Sequence, residues 1–176
     1  MKVRRVVTGH SPTTKAVFAS DEAVEAIEVD AFAGGEFHKL WGSDTVSTFP
    51  DDGSIPSMPN WFPPVGGFRF GMFTVPPEGF EPVSDATLEE MRSEVDEKLP
   101  GLLDVLESDD PGMHTTDTID LEYVVSGRVV LELDDGETRE LGPGDVVVQN
   151  GTRHAWRNPF SEPCRMVVVL MGAKRT

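Results

Sequence analysis

Cysteine is almost missing from this chain. Cys164 is the only one in 176 residues, so no intramolecular disulfide can form, which fits a reducing compartment. In a strand-proximal position it reads as a small, partly buried side chain in preference to a reactive thiol. Long apolar runs are missing too: nothing approaches the roughly 20 residues of a membrane span. Lys2, Arg4 and Arg5 are followed by no continuous apolar core of the kind a signal peptide needs, and cytoplasmic residence is the resulting expectation. Basic residues are scarce, 15 against 31 acidic, giving a formal net charge of -16. A field of that sign repels nucleic acid and anionic membranes, and both are discounted as partners. A small anionic substrate stays open, because a metal or Arg153 and Arg157 would override the field locally. Internal repeats, low-complexity tracts and a helix-turn-helix are absent. What is present, 38% hydrophobic and 26% charged residues, is the composition of one globular domain able to bury a core without staples.

Along the chain, Val3 to Val7 and Lys15 to Ser20 read as two strands around the turn formers His10 to Thr14. Glu25 to Phe32 alternates cleanly enough for a third strand, ended by Gly34-Gly35, and Glu36 to Trp41 makes a fourth. His10 and His38 are expected to be surface or hydrogen-bonded histidines. Between Gly42 and Gly67 five prolines make the chain irregular. The aromatic bulk of Trp61-Phe62 there needs something to pack on, either as a lid over a cavity or as an arm to a second subunit. Gly67 to Val75 is a strand with bulky residues on both faces, central or in an interface. A helix is predicted over Ala86 to Lys98, capped by Ser84 or Asp85, with Leu88, Met91, Val95 and Leu99 as its apolar stripe. Leu102 to Leu106 follow as a short turn.

The stretch from Met113 to Asn158 carries the chemistry. From His114 onward every second residue is His114, Thr116, Thr118, Asp120, Glu122 and Val124, and in an extended strand these share one face. The opposite face, with Ile119, Leu121, Tyr123 and Val125, is suited to packing. Val129 to Leu133 and Glu137 to Leu141 flank Asp134-Asp135-Gly136 as a hairpin. Val146 to Val148 is a strand with the pattern of one buried on both faces. His154, Trp156 and Asn158 alternate on one side, and Arg165 to Leu170 is a closing strand. Short strands and turns at this spacing predict an all-β, closed or sandwiched antiparallel sheet.

These residues resemble the cupins, specifically small single-domain cupins, whose double-stranded β-helix carries two motifs. In the first, two histidines one residue apart precede a glutamate on the same strand and a glycine seven residues beyond it. Gly127 fits the glycine, which sets Asp120 in the glutamate's place and His114 and Thr116 at the histidines. His154, Asn158 and Gly151 match the second motif, with Gln149 where proline is usual. The resemblance implies a jelly-roll barrel over residues 110–172, with residues 1–75 as added strands and an aromatic loop and 84–107 as a helical insertion. It also implies a homodimer, for which Trp61-Phe62 and Phe73 are the candidate contacts.

Two imidazoles and one carboxylate, His114, Asp120 and His154, match the set that holds a divalent ion (Fe, Mn, Ni or Zn) with positions open for substrate. Glu122 would then be the acid/base or an outer-shell orienter, Trp156 a wall, and Thr116, Thr118 and Asn158 further pocket residues. Without an ion, the histidines are simply hydrogen-bonded, Asp120 is satisfied by Arg153, Arg157 or a hydroxyl, Glu122 is ion-paired, and the threonines pack. Two functions follow. One is a metal-dependent enzyme acting on a small organic molecule, by decarboxylation, dehydration or iron dioxygenase chemistry. The other is a barrel that only binds a small ligand, as a sensor or accessory protein.

Overall fold

The computed structural model describes residues 2–32, 34–79 and 87–176, and alternating apolar residues and turn formers there give the expected antiparallel β architecture. Strands β1 (Val3–His10) and β2 (Ala16–Val24) form a hairpin by themselves. Strands β3 (Phe37–Ser43), β4 (Phe68–Val75), β5 (Thr118–Ser126), β8 (Val146–Gln149) and β10 (Cys164–Gly172) form one sheet in the order β3-β4-β10-β5-β8. Strands β6 (Val129–Glu132), β7 (Thr138–Leu141) and β9 (Ala155–Arg157) form a second, in the order β7-β6-β9. The two larger sheets make the walls of a jelly roll. At Gly127, between β5 and β6, φ is 77° and a Cβ would collide with the Pro163 carbonyl. Only glycine fits that crossing.

The predicted third strand is not formed. Only Ile27 makes a ladder contact, exchanging backbone bonds of 2.7 and 2.9 Å with Phe37, and a 3-10 turn follows at Asp30–Phe32. The reason lies in the helix α1 (Leu88–Lys98). Its Glu94 carboxylate accepts from the Asp30 N–H at 2.9 Å and its Lys98 ammonium donates to the Glu28 carbonyl at 2.9 Å, satisfying backbone groups that a ladder would otherwise use.

Helix α1 begins two residues later than its pattern suggested, behind Thr87. The Thr87 hydroxyl accepts from the Glu90 N–H and the Glu90 carboxylate accepts from the Thr87 N–H, a complete capping box. Ser84, Asp85 and Ala86 lie outside the described residues. Of the predicted stripe, Val95 and Leu99 are fully buried with Val29, Trp61, Leu102, Val168 and Leu170, while Leu88 is 81% exposed. The helix therefore closes one end of the barrel through its second half. A second buried cluster, Val124, Val129, Cys164 and Met166, fills the other end.

Strand β8 is not buried on both faces: Val146 and Val148 are 64% and 56% exposed. These two side chains share the outward face of the sheet, which the described residues leave open there. His38, a surface or hydrogen-bonded histidine by expectation, is buried within β3. The segment between β3 and β4 has no regular element, as expected, yet Trp61 is buried in the core, edge-on to Phe37 at 5.4 Å.

Because burial is confined to the second half of α1, Leu99→Ala is expected to cost about 2–5 kcal/mol, whereas Leu88→Ala stays within about 0.5 kcal/mol of the parent. Urea unfolding of the two variants measures the difference, and equal losses would contradict this placement of the helix.

Candidate active site

Strand β5 is held by β10 on one side and β8 on the other, with Asp120 opposite Leu170 and Gln149, and Glu122 opposite Val168 and Val147. This register turns Thr116, Thr118, Asp120, Glu122 and Val124 inward, each at most 4% exposed. Asp120 and Glu122 open onto a cavity of about 510 Å³, while their neighbours are apolar strand residues. The Oδ1 atom of Asp120 and the Oε2 atom of Glu122 have no hydrogen-bond partner. Burial pushes the Asp120 carboxyl up to about 6, opposed by a hydrogen bond from Thr118. Burial, and then the charge of Asp120 beside it, pushes Glu122 up to about 8. Near neutral pH the pair thus holds one ionised carboxylate and one protonated carboxyl.

The histidines arrive by a different route. His114 precedes β5 proper and is joined to His154 by an isolated bridge, each N–H donating to the other's carbonyl at 2.9 Å. Their rings lie 4.1 Å apart, centroid to centroid. The His114 Nδ1–H donates to the Gly112 carbonyl at 3.0 Å and that of His154 to the Thr152 carbonyl at 2.9 Å. A carbonyl only accepts, so each Nδ1 carries the proton and each Nε2 keeps its lone pair. Burial lowers the affinity of both rings for a second proton, His154 to about 4 with the neighbouring His114 contributing.

Arg153 and Arg157, expected as partners of Asp120 or of an anionic substrate, are engaged elsewhere. Arg153 grips both oxygens of Glu107 at 2.7 Å and also reaches Asp110 and Asp134. Arg157 binds Glu132 at 2.7 Å, Asp110 at 3.2 Å and the Pro111 carbonyl. Together they pin the segment before His114 onto β9, which sets the spacing of the two imidazoles. Glu122, for which an ion pair was the simpler expectation, has none.

The cavity brings together His114, Asp120, Glu122, His154, Trp156 and Asn158. It leaves out Thr116 and Thr118, whose hydroxyls bond each other at 2.9 Å behind the wall. Asn158 is fully used as a latch, donating to the Val75 and Glu162 carbonyls at 2.9 Å and accepting from the Phe160 N–H at 3.1 Å. Five aromatic rings, Phe32, Phe37, Trp61, Phe62 and Phe73, share the remaining walls with aliphatic residues such as Leu102, Leu106, Val168 and Leu170. Trp61-Phe62 and Phe73, candidate dimer contacts in the sequence, face inward here. Trp61-Phe62 signalled itself by bulk within a proline-rich stretch. Phe32 and Phe37 gave no sign, because their convergence depends on the turn at Asp30–Phe32.

The expected three-ligand set is only partly assembled. The imidazoles are neighbours and the carboxylates are neighbours, yet among the described residues no three His, Cys, Asp or Glu side chains converge to hold a metal ion. Two imidazoles with free Nε2 lone pairs and two carboxyls are donors of the types that hold a divalent ion.

The family comparison falls on the same part of the chain. Residues 103–170 match the Cupin_2 family, described as a cupin domain. Phomopsin biosynthesis cluster protein D of Diaporthe leptostromiformis is 44% identical over 82 residues, covering 43% of each chain. The cupin-domain-containing oxidoreductase srdB of Neurospora crassa is 41% identical over 63 residues, 35% of this chain and 32% of that one. These alignments span less than half the length of either relative. Among solved structures, the polyketide cyclase RemF from Streptomyces resistomycificus aligns with a TM-score of 0.46 at 20% identity, over 84% of this chain and 72% of that chain.

The buried pair has a sign in stability. Glu122 keeps its proton in the folded protein up to about pH 8, while the unfolded chain loses it near 4.5. Across that window the unfolded state binds fewer protons, so stability falls as pH rises, by about 1 kcal/mol per pH unit for one group. Glu122→Gln is expected to flatten the fall of melting temperature between pH 5 and 8. Parallel curves for parent and variant would show that the carboxyl does not titrate as its burial requires.

Proposed function

We propose that the cavity enclosed by residues 103–170, the stretch that matches the cupin domain, is the active site of an enzyme that moves protons on a small, neutral, largely apolar organic molecule. One observation carries the reading: two carboxyl groups with unpartnered oxygens stand side by side at the polar end of an aromatic-walled cavity of about 510 Å³. They sit on one strand face, about 7 Å apart along it. Glu122, protonated, donates to a substrate oxygen. Asp120, ionised, takes a proton from the adjoining carbon. Trp156, Phe73 and Phe37 hold the apolar body and exclude water, which strengthens both interactions. Because both cavity-facing imidazoles are neutral and Arg157 is committed to Glu132 and Asp110, no free cation among the described residues awaits an anionic substrate there. Isomerisation or dehydration next to a carbonyl is the reaction class this arrangement serves.

The test is hydrogen exchange in D2O on a panel of neutral aromatic ketones and hydroxyketones, followed by proton NMR. The parent protein is expected to accelerate exchange next to the carbonyl, and Asp120→Asn and Glu122→Gln each to lose about 10²–10⁴-fold. Saturable binding without exchange would support a ligand-binding barrel in place of an enzyme.

A second reading has its own observation. With both Nδ1–H groups tied to backbone carbonyls, the Nε2 lone pairs of His114 and His154 are presented as they are in metal-ligating histidines. The relative srdB is named an oxidoreductase. His114 and His154, with Asp120 drawn in, would hold the ion, which when bound supplies Lewis-acid polarisation or, if iron, dioxygen binding. Elemental analysis of protein purified without chelator or affinity nickel, against a His114→Ala, His154→Ala variant, decides it. A near-stoichiometric ion lost in the variant establishes this reading, and no ion in either protein leaves the carboxyl pair as the chemistry.

A further inference from the structure

We propose that the cavity also takes a primary organic ammonium ion, with its charged head at Asp120 and Glu122 and its apolar body on the aromatic walls. The polar end of the cavity is rich in acceptors. The Oδ1 atom of Asp120 and the Oε2 atom of Glu122 have no hydrogen-bond partner, although the two residues are only 3% and 4% exposed. The Nε2 lone pairs of His114 and His154 add two more acceptors on the same cavity. Donors there are already spent. The histidine Nδ1–H groups and the Asn158 amide donate to backbone carbonyls, and the Arg157 guanidinium to Glu132, Asp110 and the Pro111 carbonyl. A guest suited to such an end brings donors and positive charge, and a primary ammonium head carries three N–H donors on one compact cation.

The rest of the cavity suits the carbon skeleton of such an ion. Phe37 and Trp61 stand at 89° to each other with centroids 5.4 Å apart, and Phe73 and Trp156 are tilted by 51° at 6.4 Å. These four rings line one cavity of about 510 Å³ and offer a guest π faces and edges from several directions. Such faces attract cations as well as apolar groups. The exposed Glu78 on the lining adds a further acidic group, and the formal -16 of the whole chain raises the local concentration of cations. Burying an ammonium group away from acceptors is costly, so binding depends on the two carboxyls. An anion meets the opposite situation, lone pairs and acidic groups with the Arg157 guanidinium already committed. The inference goes beyond the proton-transfer reading. An amine without an adjoining carbonyl occupies the carboxyls and does not react, and its binding stands whether or not they move protons.

Isothermal titration calorimetry of the parent chain with 2-phenylethylammonium, 2-phenylethanol and phenylacetate separates charge from shape, because the three differ chiefly in their polar heads. The ammonium ion is expected to bind about 10–100-fold more tightly than the alcohol, the range of one charge-assisted hydrogen bond in a buried site, and phenylacetate to show no saturable binding. The preference is expected to survive about 1 M NaCl, where exposed charges are screened beyond roughly 3 Å. It is expected to vanish in an Asp120→Asn, Glu122→Gln variant that still binds the alcohol. A thermal melt of the parent's transition shape establishes that the variant folds, and the salt dependence tests the proposal on the parent without any substitution. Equal affinities for the ammonium ion and the alcohol, or no saturable binding of the ammonium ion, overturn the proposal. So does a preference lost in salt or kept in the variant, since either places the cation on the acidic surface. Deuterium exchange into neutral ketones without ammonium binding sinks this inference alone, and ammonium binding without such exchange sinks the proton-transfer reading alone.

Discussion

Strand β5 is turned inside out relative to an ordinary half-buried strand, with threonines and carboxyls inward and aliphatic residues outward. Much of the structure depends on that orientation. A slip of one residue would exchange the two faces, exposing Asp120 and Glu122 to water and driving Leu121 and Tyr123 into the cavity. The register is held by strands on both sides, β10 through eight residue pairs and β8 through four, and by the Gly127 crossing that ends β5 against Pro163. The inward polar row creates the site. The outward apolar row, Ile119, Leu121, Tyr123 and Val125, stays partly exposed.

Burying two neighbouring carboxyls, each with an unpartnered oxygen, is unfavourable unless at least one stays neutral. The lifted pKa of Glu122 and the neutral histidines are the form that accommodation takes. Around the site three arginines are paired: Arg153 and Arg157 occupy four acidic side chains around the approach to His114, and Arg175 ties Asp117 and the carbonyls of Thr116 and Gly151 to the C-terminal segment. The cavity is therefore ringed by satisfied ion pairs but carries unsatisfied groups at its polar end. Unsatisfied buried groups in a cleft are where ligand chemistry is expected to concentrate.

Two imidazoles and two carboxyls sit on the same cavity for separate reasons. The carboxyls share a strand face. The histidines share an isolated bridge that the arginine clamps hold closed. The chain supplies ligand types suited to an ion and, on the same cavity, two carboxyls whose protons are held more tightly by burial.

What the sequence by itself determined is local. Period-two alternation set the faces of β5, turn residues at Asp134-Asp135-Gly136 placed the β6–β7 hairpin, and the spacing of Asp120, Gly127, His154 and Asn158 pointed to a cupin barrel. Those features survive because each depends on neighbours a few residues away. Tertiary structure alone decided the rest. Glu25 to Phe32 alternates like a strand but is bonded by Glu94 and Lys98 of the helix. Val146 to Val148 looks doubly buried but ends its sheet. Thr116 and Thr118 share the face of Asp120 yet stand behind the cavity wall. The aromatic walls come from four separate stretches of chain. In each case the outcome depends on which distant group occupies the space opposite, and a one-dimensional pattern of hydrophobicity contains no term for that.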